Sequence, residues 1–382
     1  MVRVYIGCFG SGLGHATRML EVADLASGRG EEVRFSSSGE VARMVKGRGY
    51  GCNELPLVDV RYSEDGAFSL RETMVASPLT MARTYRQTYM EARNIAQFRP
   101  QVVLSDSSLP TVIAAKLAGI PVIAVLNQLR LASPHGRDRP SVSLLSAGLT
   151  AAMGKLWELS DEILLPDLPP PYTISERNLW GNRVRKTRYI GFLRGSFGSA
   201  LDPLATKLLS IPRKKVFWQV SGPPKTRGPF LERALEVSRK LSDRFVFVVS
   251  GGDPAADSEA REIPGGWYFG WCRDPGAFFS SCDVVVSRAG HGTVSQAIAA
   301  SKPSVLVPIP KQSEQEGNAL KAQRLGVSLC VGQDELTTGR ALEAIESLLT
   351  GGTVERVTRL GEYASKFNAA EEVVKSISAR AR

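Results

Sequence analysis

His15 closes the run GSGLGH (residues 10–15) and is one of only three histidines in a chain of 382 residues. A glycine turn straight after an apolar strand clears side chains from a ligand's path, so a histidine carried there can take a proton from a hydroxyl near neutral pH. A buried, hydrogen-bonded structural His15 is the other reading. The run QVVLSD ends in Asp106. Because strand-end loops converge, Asp106 can orient the His15 imidazole and stabilise its charged form; it can also cap the helix expected over SSLPTVIAAKLAG. GSGLGH is a poor dinucleotide fingerprint, since Gly10 and Gly12 fit G-x-G-x-x-G but position 15 is histidine, and FSSSG, at the second strand end, offers no acid to an adenosine ribose.

A second constellation lies at SRAGHGT, residues 287–293. It follows the apolar DVVV and opens into the helical pattern VSQAIAA. Backbone amides from Gly290 onward therefore point outward at the positive end of a helix dipole, an arrangement suited to a diphosphate. Gly290 and Gly292 keep side chains away, Thr293 offers a hydroxyl, Arg288 a charge, and His291 is the second loop histidine. Further on, Glu314, Gln315 and Asn318 gather at a loop-to-helix junction, where carboxylate and amide groups suit a ligand with many hydroxyls; a plain capping cluster is the alternative. Two more strand ends carry glycines: VSGPP, with Ser221 and Gly222, which is assigned to the diphosphate, and VSGGDP, which reads as a simple turn. No D-x-D occurs, so no metal is expected to chelate a nucleotide through paired aspartates. The five cysteines, Cys8, Cys52, Cys272, Cys282 and Cys330, form no C-x-x-C, and neither a zinc site nor a redox pair is expected.

These residues need strands that end side by side. Short apolar runs (VRVYIGCF, EEVRFSSS, QVVLSD, PVIAVLN, EILLP; then KVFWQVSG, FVFVVSGG, WYFGW, DVVVSRAG, PSVLVPIP, VSLCVG) alternate with helical patterns, which predicts α/β architecture with parallel sheets and crossover helices. The length exceeds one ordinary core, so two Rossmann-like, doubly wound domains are expected in tandem, 1–190 and 191–355. The proline-rich stretch LPDLPPPYTISERNLWGNRVRKTRYIGFLRGS marks the boundary and is expected to lack regular structure, save a strand-and-linker reading of TRYIGF. The amphipathic remainder, 356–382, either caps the second domain or reaches back to the first.

The formal charge of +10 is spread over both halves, without the clustered basic and aromatic residues of a nucleic-acid reader, so no nucleic-acid partner is expected. No run approaches the ~20 apolar residues of a membrane span. The opening leads into glycines and a charged helix rather than a cleavage site, which predicts a cytoplasmic protein, with membrane contact at most peripheral at the inner face. Segment 141–160, SVSLLSAGLTAAMGKLWELS, follows Arg130, Arg137 and Arg139. It reads either as a patch docking on anionic lipid beside a polyprenyl-linked acceptor or as a core helix next to a solvated basic loop.

The stretch DVVVSRAGHGTVSQAIAASKPSVLVPIPKQSEQEGNA resembles the donor half of the GT-B glycosyltransferases, in particular the MurG-type (family 28) and UDP-glucuronosyltransferase-like branches. GSGLGHATR is similar to the family's opening G-G-T-G-G-H loop. The resemblance implies two domains facing a central cleft and an inverting, metal-independent transfer of a hexose-type sugar from a nucleotide sugar, UDP-linked, to an acceptor hydroxyl, with no cofactor. Gly290 to Thr293 would hold the diphosphate, Gln296 the ribose, the backbone of Trp271 and Cys272 the base, and Glu314 with Gln315 the sugar; Gly12, Gly14 and Arg18 fall in the acceptor loop. Gln296 stands where the family has a carboxylate, and Arg288, where the glucuronosyltransferase branch has histidine, sides with the MurG-type loop. Rival readings are a nucleotide-sugar hydrolase or epimerase of the same fold, since Gly12, Gly14, His15 and Arg18 spell G-x-G-H-x-x-R, and a non-catalytic basic nucleotide-binding protein.

Overall fold

The computed structural model describes residues 1–58, 77–129, 154–179, 186–195 and 202–381. They fall into two compact units, one made of the described residues before 196 together with those after 366, the other of residues 202–366.

In the first unit, β1 (Arg3–Cys8), β2 (Glu32–Ser37), β3 (Cys52–Glu54), β4 (Val102–Asp106), β5 (Val122–Val125), β6 (Glu162–Leu165) and β7 (Thr187–Tyr189) form one sheet in the order β3-β2-β1-β4-β5-β6-β7. Every pairing is parallel. Its helices are α1 (Leu13–Gly28), α2 (Gly39–Gly47), α3 (Ser77–Phe98), α4 (Leu109–Leu117) and the short α5 (Glu176–Leu179). Successive side chains of a strand point to opposite faces, and both faces are covered here, which is why the strands read as unbroken apolar runs. Val4, Ile6 and Leu104 pack on Ala16, Met19 and Leu20 of α1, while Tyr5, Val103 and Ala124 pack on Ile95 and Val112.

The second unit repeats the plan with β8 (Lys215–Gln219), β9 (Val246–Ser250), β10 (Arg261–Ile263), β11 (Gly266–Phe269), β12 (Val284–Ser287), β13 (Ser304–Leu306) and β14 (Ser328–Cys330), in the order β10-β11-β9-β8-β12-β13-β14. Only β10 runs antiparallel, to β11. The helices are α6 (Pro203–Leu209), α7 (Pro224–Lys240), α8 (Pro275–Ser281), α9 (His291–Ala299), α10 (Ser313–Arg324), α11 (Thr338–Thr350) and α12 (Thr353–Ala364).

The final helix, α13 (Ala369–Arg380), belongs to the first unit. Ala369, Ala370, Val373, Val374 and Ile377 join the core beneath β1 and α1, each larger side chain contributing ~1.5–3 kcal/mol of burial. Arg188 reinforces the docking with a 2.6 Å ion pair to Glu372.

Two features depart from the expected elements. The edge strands β3 and β10, CNE and REI, carry no buried residue and so give no apolar signal. The described part of the proline-rich stretch holds α5 where irregular structure was expected, while β7 falls where TRYIGF was read as a strand. Its organiser is Asp167, a buried carboxylate that accepts from the amides of Leu168 (2.8 Å), Ile174 (3.0 Å) and Ser175 (2.8 Å) and from the Ser175 hydroxyl (2.6 Å); one side chain thereby supplies the acceptors a sheet or helix would otherwise provide. Segment 141–160, with Arg130, Arg137 and Arg139, lies outside the described residues up to residue 153. No described helix is long and apolar enough to cross a membrane.

Each strand order marks a place for ligands. In the first sheet the chain leaves β1 towards β2 while β4 lies on the other side, so the loops after β1 and β4 diverge; in the second the loops after β8 and β12 do the same. Such switch points at the carboxyl ends of parallel strands leave crevices where ligands bind.

Candidate functional site

At the first switch point β1 passes into α1 through Phe9 to Gly12. Gly12 adopts φ +95° as the residue before the helix, a conformation that costs other residues strain. Gly10 presses so close to Ser38 that a Cβ would stand 1.8 Å from its hydroxyl. These two glycines thus serve the bend and the packing. Gly14 is the one with open space above it.

His15 sits in the first turn of α1, its side chain 19% exposed, with Nδ1 3.0 Å from Oδ1 of Asp106 at the end of β4. Its ring meets Phe9 edge to face, centroids 5.7 Å apart. Arg18, one turn further on, donates through Nε to Asp106 Oδ2 (2.6 Å) and through Nη2 to Oδ1, with Nη1 reaching Asn127 Oδ1 at 3.3 Å. Burial by itself would push the Asp106 carboxyl up, but the Arg18 charge and fork, with His15, hold it down at about 2. An ionised, fully buried carboxylate beside Nδ1 favours the tautomer with hydrogen on Nδ1, which leaves the Nε2 lone pair as a base. Arg18 Nη2 also lies 3.0 Å from Nδ1; a guanidinium has donors only, so it competes for that nitrogen when the proton is elsewhere. Arg18 was assigned to acceptor binding, yet its guanidinium is buried against Asp106; the pairing is invisible in sequence because the two residues are far apart along the chain.

Beneath this site lies a group that sequence reasoning missed. Glu91, fully buried on α3, accepts hydrogen bonds from Tyr5 (2.5 Å), Ser36 (2.7 Å) and Thr111 (2.6 Å), joining α3 to β1, β2 and α4. Burial raises its carboxyl above the usual range. The signal available was a lone acid in a helix whose other charges, Arg83, Arg86 and Arg93, are basic.

At the second switch point Gly290 precedes α9 with no side-chain cap, and no atom lies within 4 Å of a Cβ placed on Gly290 or Gly292. Space is open over the first turn, whose leading amides have no partner within the helix. Val294 is not among them, because its amide closes on the Gly290 carbonyl at 3.1 Å. Thr293 and Gln296 are half-buried on the same helix, whereas His291 is buried, its carbonyl taking the Ser295 hydroxyl at 2.8 Å. Ser221 and Gly222 follow β8; Gly222 adopts φ +107°, and its carbonyl accepts from Arg227 Nε at 2.7 Å.

Five residues expected to contact the ligand look different in three dimensions. Arg288 is buried, its fork turned to carbonyls of α7 and of the loop after β13. Asn318 is 0% exposed, and its amide donates to the Ala289 carbonyl at 3.1 Å, so it braces the glycine loop. Gln315, also buried, accepts from the Ile309 amide at 3.0 Å and shapes the loop after β13; Glu314 beside it is half-buried in the first turn of α10. The Trp271 amide donates to the Asp257 carbonyl at 2.9 Å, and the Cys272 side chain lies in the core, where burial drives its thiol well above the ordinary range. Spacing identified these residues, but helix phase turned several of them inward. Among the described residues no three His, Cys, Asp or Glu side chains gather as a metal cluster.

Comparison with known proteins agrees with this fold. Residues 268–373 match the glycosyltransferase family 28 C-terminal domain, and residues 2–142 match glycosyl transferase family 1. An uncharacterized glycosyltransferase of Methanosarcina mazei is 27% identical over 329 residues, covering 85% of this chain and 84% of its own. A Prochlorococcus marinus UDP-N-acetylglucosamine–N-acetylmuramyl-(pentapeptide) pyrophosphoryl-undecaprenol N-acetylglucosamine transferase is 38% identical, over 47% of this chain and 56% of its own. The solved glycosyltransferase SsfS6 of Streptomyces sp. SF2575, complexed with thymidine diphosphate, superposes with a TM-score of 0.68 at 19% identity, over 99% of this chain and 100% of its own. Two doubly wound sheets of seven strands, each with its strand-end loops, define a GT-B glycosyltransferase that draws on a nucleotide-sugar donor. Within that class the chain carries a family 28 C-terminal domain and is a homologue of the MurG-type enzymes and of archaeal glycosyltransferases.

Proposed function

We propose that this chain is an inverting, metal-independent glycosyltransferase that moves a hexose-type sugar from a UDP-linked donor to an acceptor hydroxyl, with His15 as general base. The observation that carries the reading is the His15–Asp106 contact at the first switch point. Asp106 holds Nδ1 and leaves Nε2 to take the acceptor proton while the acceptor oxygen attacks the anomeric carbon; the bond to the diphosphate breaks on the opposite face, and the configuration inverts. Asp106 is buried and doubly occupied by Arg18 and His15, so it is unsuited to act as the carboxylate nucleophile of a double displacement.

Residues 1–190 would bind the acceptor and 191–355 the donor, with 356–382 completing the two. On the donor side the diphosphate would lie on Ser221, Gly222 and the amides of residues 291–293, where helix-end dipoles take the place of a metal. Thr293 adds a hydroxyl, Gln296 meets the ribose and Glu314 the sugar. With the Trp271 amide occupied, the base would be held by the Trp271 ring and the Cys272 backbone. The Prochlorococcus relative is named for a UDP-sugar donor and an undecaprenol-linked acceptor, which supports UDP and a lipid-linked acceptor here. The Streptomyces structure holds thymidine diphosphate, so both bases belong in the test. The run Gly12-x-Gly14-His15-x-x-Arg18 favours, as a second reading, a nucleotide-sugar hydrolase.

The experiment is a panel of UDP-, dTDP- and GDP-sugars scored by thermal shift, since a ligand binding only the folded state raises its stability. The stabilising donor, labelled in its sugar, is then incubated with lipid and aqueous extracts. The reading expects UDP-sugars to stabilise, label to enter the lipid fraction, and His15→Ala to keep donor binding while transfer falls by ~10²-fold or more. Full-rate release of UDP without any acceptor favours the hydrolase, and undiminished transfer by His15→Ala removes the base.

A further inference from the structure

Arg288 leaves β12 two residues before the helix start at Gly290, is 1% exposed, and finds no carboxylate among the described residues. Nη1 donates to the carbonyls of Val307 (3.3 Å) and Pro308 (3.4 Å); Nη2 donates to the Thr226 carbonyl (3.1 Å) and to Gln333 Oε1 (2.7 Å). The guanidinium carbon lies 4.3 Å from the centre of the Phe230 ring, and Nε has no hydrogen-bond partner. Those acceptors come from α7, which follows β8, and from the loops after β13 and β14, so one buried cation ties together the strand ends that frame the glycine loop. Dipoles and a ring face soften the burial of a charge without cancelling it, and an isolated buried charge is retained at a cost in stability. Burial draws its pKa down only to about 10, and it stays charged at neutral pH.

We propose that Arg288 sets the preference of the donor site for a nucleoside diphosphate over less phosphorylated nucleosides, acting as a positioning residue whose uncompensated charge is answered by the anion over residues 290–293 and not by contact with it. Gln333 is the neutral partner that leaves that charge unspent. In a low-dielectric surrounding one unneutralised charge a few residues from the helix start adds to the amide dipoles and attracts in proportion to phosphate charge. The nucleoside part of the ligand is indifferent to it. This inference rests on the reading of residues 290–293 as the diphosphate loop.

The test neutralises the cation in place. Gln333→Glu puts a carboxylate where Oε1 now meets Nη2, and keeps the carbonyl bonds and the packing. Isothermal titration of wild type and variant with UDP, UMP and uridine, and in parallel with the thymidine series, reads the effect. The expected result is an unchanged or higher melting temperature, UDP bound at least tenfold more weakly, UMP weakened less, and uridine within twofold of wild type. Arg288→Met, which reaches the same net charge by removing the cation, gives the same graded loss, while Arg288→Lys keeps the preference for the diphosphate. The proposal is overturned if Gln333→Glu binds UDP as tightly as wild type, or if both neutralising variants weaken all three ligands by one common factor, as a purely structural strut would. Wild-type protein that binds neither UDP nor dTDP refutes the diphosphate-loop reading itself, a separate outcome that needs no variant.

Discussion

Asp106→Asn is the perturbation whose size the structure specifies best. At neutral pH the substitution keeps shape but leaves the buried Arg18 fork facing a neutral amide; breaking a buried pair in this way costs ~3–5 kcal/mol, and the retained volume points to the lower end. The pH dependence follows from the carboxyl held at about 2 against an ordinary value of 3.8. A group whose folded pKa is depressed stabilises the protein above its unfolded pKa and loses that contribution as pH falls towards the folded one. At ~1.4 kcal/mol per pH unit the full contribution is about 2 kcal/mol, and about half of it is gone by pH ~3. Equilibrium urea unfolding of wild type and variant, followed by circular dichroism from pH 5 to pH 3, isolates the term because the other carboxyls are common to both. The stability gap narrows by about 1 kcal/mol over that range. A gap that stays constant down to pH 3 shows that Asp106 is not held ionised by Arg18 and His15, and the tautomer argument for His15 falls with it.

Gly222→Ala strains a residue at φ +107° and places its Cβ 2.8 Å from Thr226 Oγ1 and 3.3 Å from Ile309 Cδ1; a loss of ~1–3 kcal/mol and weaker nucleotide binding are expected, measured by thermal melts with and without UDP. Glu91→Leu strands the hydroxyls of Tyr5, Ser36 and Thr111 without their shared acceptor, at ~1–3 kcal/mol for each that cannot find water. Denaturation of that variant shows the loss, and Glu91→Gln, which keeps an acceptor oxygen, recovers much of it; equal stability of the leucine variant and wild type contradicts the network.

How far the sequence could be read depended on the range of the interactions involved. The unbroken apolar strands were legible because burial on both faces demands them, as in β1, β4 and β8. CNE and REI were not, since an edge strand three residues long is held by its neighbour's backbone. The order hidden in the proline-rich stretch rests on one acid, Asp167, whose role depends on the chain folding back around it. In the second unit, Gly290 and Gly292 stood out because glycine before a helix has few other uses. Nothing in the spacing showed that Asn318 would brace Ala289 rather than face outward.

What the sequence determined by itself is therefore local: alternating strand and helix patterns, glycine turns at the strand ends, and a scarce histidine placed on one of them. These follow from periodicity and from backbone conformations only glycine adopts easily. Tertiary structure decided the partnerships. Strand order set β1 beside β4 and so His15 beside Asp106; helix phase turned Arg18 onto that same carboxylate and left His291 buried; and Arg288 found carbonyls of α7 and of the loop after β13, with no counter-ion among the described residues. The physical reason is that a side chain's partner is chosen by the packing of elements distant in sequence, which no local pattern encodes.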